Sequence, residues 1–379
     1  MADSTLAGKP RLLKQANLSL VRKVIKAEGT VTRAQITAQT NISPTTVRAL
    51  LAEMLQKGEI ESIGYDASSG GRKAERYRFA PDRYHCAALC ISGRQPHGLL
   101  VNACGEVVRT DVLPAPDGDG DFEPAICAYL DSLLAHCALR SIGVGVPGIV
   151  EGGGYWRKSE QDGQLHKIDL GARLHRRYGI PVVLENDLNA TAIGFHRCYA
   201  REYPGEDARS ADMVYLNFER GCVSAGLIAG GKIIRGHRNF AGELGLVPLA
   251  DGRPLDDHMD HAADDAQYTR LVVQVLVWLC GVLNPQYIAL GGPAFRKSCL
   301  APISDGLFAL LPGHMCAEVL YAGDAWHDYH SGMAYLTAEK MFDEVLLLQE
   351  SFHLTYSVSQ PDISPYPTSL PFPRVPPCG

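Results

Sequence analysis

Long apolar runs are missing from this sequence. Although 46% of its 379 residues are hydrophobic, no stretch reaches the ~18 consecutive apolar residues that cross a bilayer, which excludes a membrane-spanning helix and predicts no membrane partner. The opening residues MADSTLAGKPRLLK lack the apolar core of about 7–15 residues that a secretory signal needs, so the expected compartment is the cytoplasm. Cysteine pairs of the C-x-x-C type are absent as well: the 11 cysteines lie scattered from Cys86 to Cys378. That scatter predicts neither a disulfide framework nor a thiolate metal site, and the cysteines read mostly as small buried apolar residues. What remains is ordinary globular composition, 21% charged, in a chain long enough for two or three domains at about 100–200 residues each.

Charge is unevenly distributed. Residues 1–83 hold 14 Lys and Arg against 8 Asp and Glu, a net of +6, which leaves −12 for the rest of a chain whose total is −6. A basic segment on an acidic body is the pattern of a polyanion-binding module, because every phosphate it neutralises releases counterions. A solvated basic surface would give the same count.

The order of elements in this segment narrows the choice. Leu12, Leu13, Leu18, Leu20, Val21, Val24 and Ile25 recur near a helical period, and Gly29 stops the helix. Thr32 caps a short second helix, RAQITAQT, in which Ala34, Ile36 and Thr37 suit a buried face. Asn41 and Ile42 turn the chain, and Ser43 with Pro44 opens a third helix. Val47, Leu50, Leu51, Met54 and Leu55 form its apolar stripe, which leaves Thr45, Thr46, Arg48 and Ala49 facing outward. Two β-prone runs, IESIGY and ERYRFA, follow around DASSGGRKA, a hairpin with a basic tip. Helix, helix, outward-facing helix and basic hairpin in this order predict a winged helix-turn-helix that binds DNA.

Beyond Arg83 the pattern becomes mixed α/β. CAALCI, HGLLVNA and GEVVRTDVL read as strands, then a helix from Glu123 to about Leu139 and a buried strand from Ser141 to Val146. The strand Pro181–Glu185 runs into Asn186 and Asp187, with a helix opening at Leu188 or Asn189. A carboxylate between a strand end and a helix start suits site chemistry, and the same two residues also fit as helix caps. Two strands around the turn ERGC, a long apolar helix from about Ala266 to Leu283 and a strand from Gln286 to Leu290 complete a second block like the first. Such paired blocks predict two similar lobes around a cleft. Seven prolines between Pro361 and Pro377 mark residues 346–379 as an extended tail.

The hairpin ending GGRKAERYRF, the run IGVGVPGIV, the segment PVVLENDLNATAIG, the loop GKIIRGHRNFAGELG and the strand NPQYIALGG occur in an order and spacing that resemble the ROK family of sugar kinases and sugar-responsive repressors. The resemblance covers about residues 10–345. It implies an N-terminal winged helix-turn-helix over residues 1–83, a two-lobed actin-like ATPase fold over 84–345, and the tail. It also implies that Asn186, Asp187, Asn239 and Glu243 bind sugar hydroxyls, with Asp187 in the place of the kinase base.

Several family features are replaced. The Asp-x-Gly-Gly-Thr phosphate turn corresponds here to Leu89–Arg94, LCISGR, with no acid and one glycine, and the second phosphate loop reads Arg220-Gly221-Cys222-Val223-Ser224. Its side chains are expected to fill the space of the phosphates. Leu246 stands where the family's zinc-binding His would be, and no Cys lies between Cys222 and Cys280. His258 and His261, among five aspartates, read as a solvated acidic loop, so neither metal nor cofactor is expected.

The expected function is a transcriptional regulator, a repressor of carbohydrate genes without kinase activity, acting as a homodimer or dimer of dimers on double-stranded operator DNA under a sugar effector. Thr45, Thr46 and Arg48 are expected to read base edges, Ser43 and Arg33 to hold phosphates, and Gly71, Arg72 and Lys73 to approach the minor groove or its flanks. A sugar kinase carrying a DNA-binding module, and a regulator whose body takes no ligand, are the two rival readings.

Overall fold

The computed structural model describes residues 9–65, 73–93, 95–116, 121–158, 163–205 and 208–341. By their contacts Leu20–Asp343 form one unit, and the packing described below lies within it; of the other unit, Met1–Ser19 with Glu344–Gly379, the described part is the helical stretch 9–19. The Pro-rich tail and the hairpin tip with Gly70, Gly71 and Arg72 lie outside the described residues.

The basic segment forms α1 (Lys9–Glu28), β1 (Val31–Thr32), α2 (Arg33–Thr40), α3 (Pro44–Gln56), β2 (Ile60–Tyr65) and β3 (Glu75–Phe79). Thr32 closes a capping box with Gln35 at the start of α2, and Asn41 in the left-handed region ends it. Ser43 caps α3 by accepting from the Thr46 N–H at 3.2 Å, an interaction worth about 1 kcal/mol. Val21, Val24 and Ile25 of α1, Ile36 of α2, and Val47, Leu50, Leu51 and Met54 of α3 are all buried. Two expectations are corrected: Ala34 is exposed, leaving Ile36 as the only buried residue of α2, and Leu55 falls on the exposed side of α3. Both helices are short enough that one apolar row suffices to seat them. The strands pair in the order β1-β3-β2, so Val31 and Thr32 join a sheet that the two β-prone runs alone do not reveal.

The body opens with β4 (His85–Cys90), β5 (His97–Asn102), β6 (Val107–Val112), α4 (Glu123–Leu134), β7 (Leu139–Val146), β8 (Ile149–Glu151), β9 (Gly154–Lys158), β10 (Leu165–Ile168), α5 (Leu170–Tyr178) and β11 (Val182–Asn186). It continues with α6 (Asp187–Glu202), β12 (Met213–Glu219), β13 (Cys222–Ala229), β14 (Lys232–Ile233), α7 (Leu255–Asp260), α8 (Asp265–Val282), β15 (Tyr287–Gly291), α9 (Leu300–Leu310), β16 (Glu318–Ala322) and α10 (Ala325–Lys340). Helix α4 stops five residues before the expected Leu139, which instead begins β7, and α6 starts at Asp187 with Asn186 as its cap.

Two five-stranded sheets share one topology. The orders β11-β7-β4-β5-β6 and β14-β13-β12-β15-β16 both comprise an antiparallel three-strand meander continued by two parallel strands. The parallel strands β7 and β15 are buried almost throughout, as expected where helices cover both faces. Edge strand β6 is largely exposed and carries the Arg109–Asp111 pair, which discourages pairing with another edge. A small sheet, β10-β9-β8, stands apart from the two large ones.

Helices α6 and α10 pack directly on each other, α6 also touching β12 and β13 and α10 touching β4 and β7. Glycine makes this contact possible. A Cβ on Gly194 would lie 1.8 Å from the Asp328 carbonyl oxygen, and one on Gly332 would lie 1.8 Å from that of Ala190. The two backbones therefore meet with no side chain between them.

Candidate functional site

A cavity of about 610 Å³ lies at the C-terminal ends of strands from both sheets, where α/β proteins commonly bind ligands. The turn after β7 gives Pro147 and Gly148, the β11–α6 junction gives Asn186, Asp187 and Asn189, and β12 and β13 give Asn217, Glu219, Cys222 and Ser224. The loop after β14 adds Asn239 and Glu243, while Tyr321, Trp326 and Tyr329 come from β16 and α10. The four residues expected to bind ligand, Asn186, Asp187, Asn239 and Glu243, thus share one cavity despite a separation of 57 positions along the chain.

Local structure fixes three of them. Asn186 accepts from the Asn189 N–H at 3.0 Å, so it does cap α6, and its amide donates to the Gly148 carbonyl at 3.1 Å. Capping and cavity lining are therefore compatible in this residue. Asp187 accepts from the Leu188 N–H at 2.9 Å and from the Asn186 amide at 3.1 Å. Asn239 adopts φ 54° and donates to the Val150 carbonyl, tying its loop to β8.

The cavity is acidic. Burial raises the Asp187 carboxyl to about 7, with Glu219 and Glu243 adding to the effect against the Leu188 N–H. Burial also raises Glu243, with Asp256 adding to it. Among the described lining residues there is no Lys, Arg or His.

Glu185 was not singled out as a site residue by sequence reasoning, although it opens the Glu-Asn-Asp run. It is buried, accepts from Arg235 Nε at 3.0 Å and from the Asn189 amide at 3.2 Å, and so anchors the strand end, the helix start and the following loop to one carboxylate. Its signal was an acid at the end of an apolar strand, where only a partnered charge is tolerated. Trp326 and Tyr329 carried no signal, because the segment containing them had no partner until the chain folded.

The turn from β12 to β13 differs from expectation. Cys222 and Ser224 do face the cavity, but Arg220 is exposed and outside its lining, and Val223 is buried in the core. The backbone itself is occupied: the Gly221 N–H donates to Asp260 at 2.8 Å and the Val223 N–H to Asp256 at 2.7 Å. His258 pairs with Asp251 at 2.8 Å and His261 with the Asp257 carbonyl at 2.7 Å. Among the described residues no group of three or more His, Cys, Asp or Glu is placed to hold a metal ion. Of the ten described cysteines five are buried and Cys104 and Cys222 are exposed, so the expectation of mostly buried thiols holds for half of them.

In the basic segment, Thr45, Arg48, Ala49 and Ala52 form an exposed row on α3 opposite its buried row. The Ser43 and Thr46 hydroxyls are 2.8 Å apart and bonded to each other. Arg33 is exposed at the start of α2 and Lys73 is exposed beside the hairpin; Gly71 and Arg72 lie outside the described residues.

Residues 87–258 match the ROK family. It is similar to the xylose repressor of Caldicellulosiruptor bescii, 27% identical over 250 residues that make up 64% of this chain and 61% of that one. It is also similar to the DNA-binding transcriptional dual regulator NagC of Escherichia coli K12, at 24% over 256 residues, 64% of this chain and 59% of that one. The match therefore spans about three fifths of the length of these curated relatives. Among solved structures, a ROK family transcriptional regulator described as a homologue of the E. coli MLC protein superposes with a TM-score of 0.67 at 15% identity, covering 89% of this chain and 100% of that one. The ROK hexokinase of Thermus thermophilus superposes with a TM-score of 0.51 at 20% identity over 66% of this chain and 97% of that one. These likenesses show that the chain shares a mixed α/β fold with these structures. No described helix is long and apolar enough to cross a membrane.

Proposed function

We propose that this protein is a DNA-binding transcriptional regulator, a repressor of carbohydrate genes, in which a sugar in the ROK cavity alters operator binding. The observation that carries this reading is the exposed row Thr45, Arg48, Ala49 and Ala52 on a capped helix of a net-basic segment. In this reading residues 1–83 are a winged helix-turn-helix, 84–345 are the effector and dimerisation domain, and 346–379 are a tail. Thr45 and Arg48 reach base edges, Arg33, Lys73 and Arg72 hold the backbone or minor groove, and Gly71 lets the chain approach it. Ser43 and Thr46 act chiefly through the cap, which presents helix N–H groups to a phosphate. The repressor names of the relatives support it, and in this reading the protein acts in the cytoplasm as a homodimer on half-sites about 10 bp apart or a multiple.

Asn186, Asp187, Asn239 and Glu243 supply amide donors and carboxylate acceptors for adjacent sugar hydroxyls. Kinase chemistry is lost in this reading, because two aspartates occupy the N–H groups of the β12–β13 turn, the turn whose sequence corresponds to the second phosphate loop. The rival reading, a sugar kinase, is favoured by one observation: a carboxyl near pKa 7 at Asp187 suits a general base.

Thermal shift against sugars, with and without Mg-ATP, separates the two. A shift with a sugar alone supports the regulator; a shift with Mg-ATP and a phosphorylated product supports the kinase. On DNA, Arg48→Ala is expected to relax preference at one base position by about 1–3 kcal/mol. Unchanged affinity and preference in competition binding would remove α3 from the interface.

A further inference from the structure

Helix α10 belongs to two sites. Its first turn puts Trp326 and Tyr329 into the cavity, and its last turn meets α1, where Lys26 Nζ lies 2.8 Å from Glu339 Oε1. From Trp326 to Glu339 a helix advances about 20 Å. The distant end is a built contact: Lys26 Nζ sits 5.3 Å from the centre of the Tyr335 ring, and the Arg197 guanidinium of α6 stacks 3.5 Å from the same ring. Burial lowers the Lys26 ammonium, and Glu339 opposes that shift. Arg209, from the segment after α6, donates to the Ala27 carbonyl at 3.1 Å and so holds the same last turn of α1, where a cation complements the helix end.

The helix between these ends has little freedom to bend locally. Its Gly332 lies against the α6 backbone, and α6 itself begins at Asp187 in the cavity. Two helices in backbone contact move as one body, and packed interfaces shift between discrete arrangements instead of deforming continuously.

We propose that α10 couples the cavity to the N-terminal segment, with Lys26 and Glu339 as the contact through which occupation of the cavity changes the last turn of α1. This rests on the reading that the cavity takes a sugar. Lys26 and Glu339 are positioning residues and touch no ligand.

Hydrogen–deuterium exchange on the full chain, with D-xylose, D-glucose and N-acetyl-D-glucosamine as probes, tests it. A binding sugar is expected to protect residues 186–192 and 239–243 and to change exchange in Val21–Glu28 by about fivefold or more, the low end of usual coupling factors. In Lys26→Met, which keeps the stem against Tyr335, and in Glu339→Gln, protection of the cavity remains and the response of α1 is lost; Lys26→Arg restores it. Cavity protection with α1 unchanged in the native chain, or an α1 response that survives both substitutions, overturns the coupling. If no probe protects the cavity, the sugar reading itself fails and the coupling falls with it. Melting temperatures within a few degrees of the native chain show that the variants are folded.

Discussion

Glu59 holds the Arg22 guanidinium through two hydrogen bonds, at 2.5 and 3.0 Å, and both side chains are buried. Removing one charge of such a buried pair takes away its main compensation, which typically costs about 3–5 kcal/mol. Glu59→Gln should lower the stability of the N-terminal segment by that amount in urea unfolding, and a loss below about 1 kcal/mol would show that the pair is not isolated from water. Asp187 behaves in the opposite sense. Its carboxyl is raised from 3.8 to about 7, so in that interval the folded chain holds a proton that the unfolded chain has released. Stability therefore falls as pH rises through the interval, and the penalty is complete above about pH 7. Asp187→Asn, whose carbonyl can still accept from the Leu188 N–H, should raise the melting temperature at pH 8, with the gain fading toward pH 4. An equal gain at both pH values would assign the effect to packing. Asp187 was legible in the sequence because an acid between strand and helix is conspicuous. Its neighbours Glu219 and Glu243, which help to raise it, come from elements distant along the chain.

At the scale of elements, the α6–α10 contact decides most. Gly332→Ala would force its methyl into the Ala190 carbonyl, and overpacking of this kind costs about 1–3 kcal/mol. Both sheets rest on this helix pair, so the loss should appear as one lowered cooperative transition in urea unfolding, not as release of a single segment. A change below about 0.5 kcal/mol would mean that the helices separate easily. The N-terminal elements follow from local rules, since Thr32, Asn41, Ser43 and Pro44 all set helix ends where caps belong. Local rules did not reveal α10, whose apolar residues face two directions at once and leave no single amphipathic stripe.

For the whole molecule, the separation of charge should govern binding. If the N-terminal segment binds DNA, affinity falls with salt, and each contact between a cation and a phosphate contributes about −0.9 to the slope of log K against log salt concentration. Lys73→Ala should weaken binding equally across sequences and reduce that slope by about one. Weakened binding with the slope unchanged would place Lys73 away from the phosphates. The acidic body should repel the same polyanion, which confines DNA to the basic end and leaves the cavity to ligands without strong negative charge.

The sequence by itself determined the helix ends of the basic segment, the alternation of strands and helices in the body, and the Asn186–Asp187 junction, because each depends on residues close together along the chain. The resemblance already grouped Asn239 and Glu243 with that junction, and the cavity bears this out; the tertiary structure alone decided that Asp256 and Asp260 take the N–H groups of the β12–β13 turn, and that α10 reaches from the cavity to Lys26. Those contacts join residues far apart in sequence, and no local preference encodes them. They arise when two sheets of the same order pack around a helix pair that glycine brings into backbone contact.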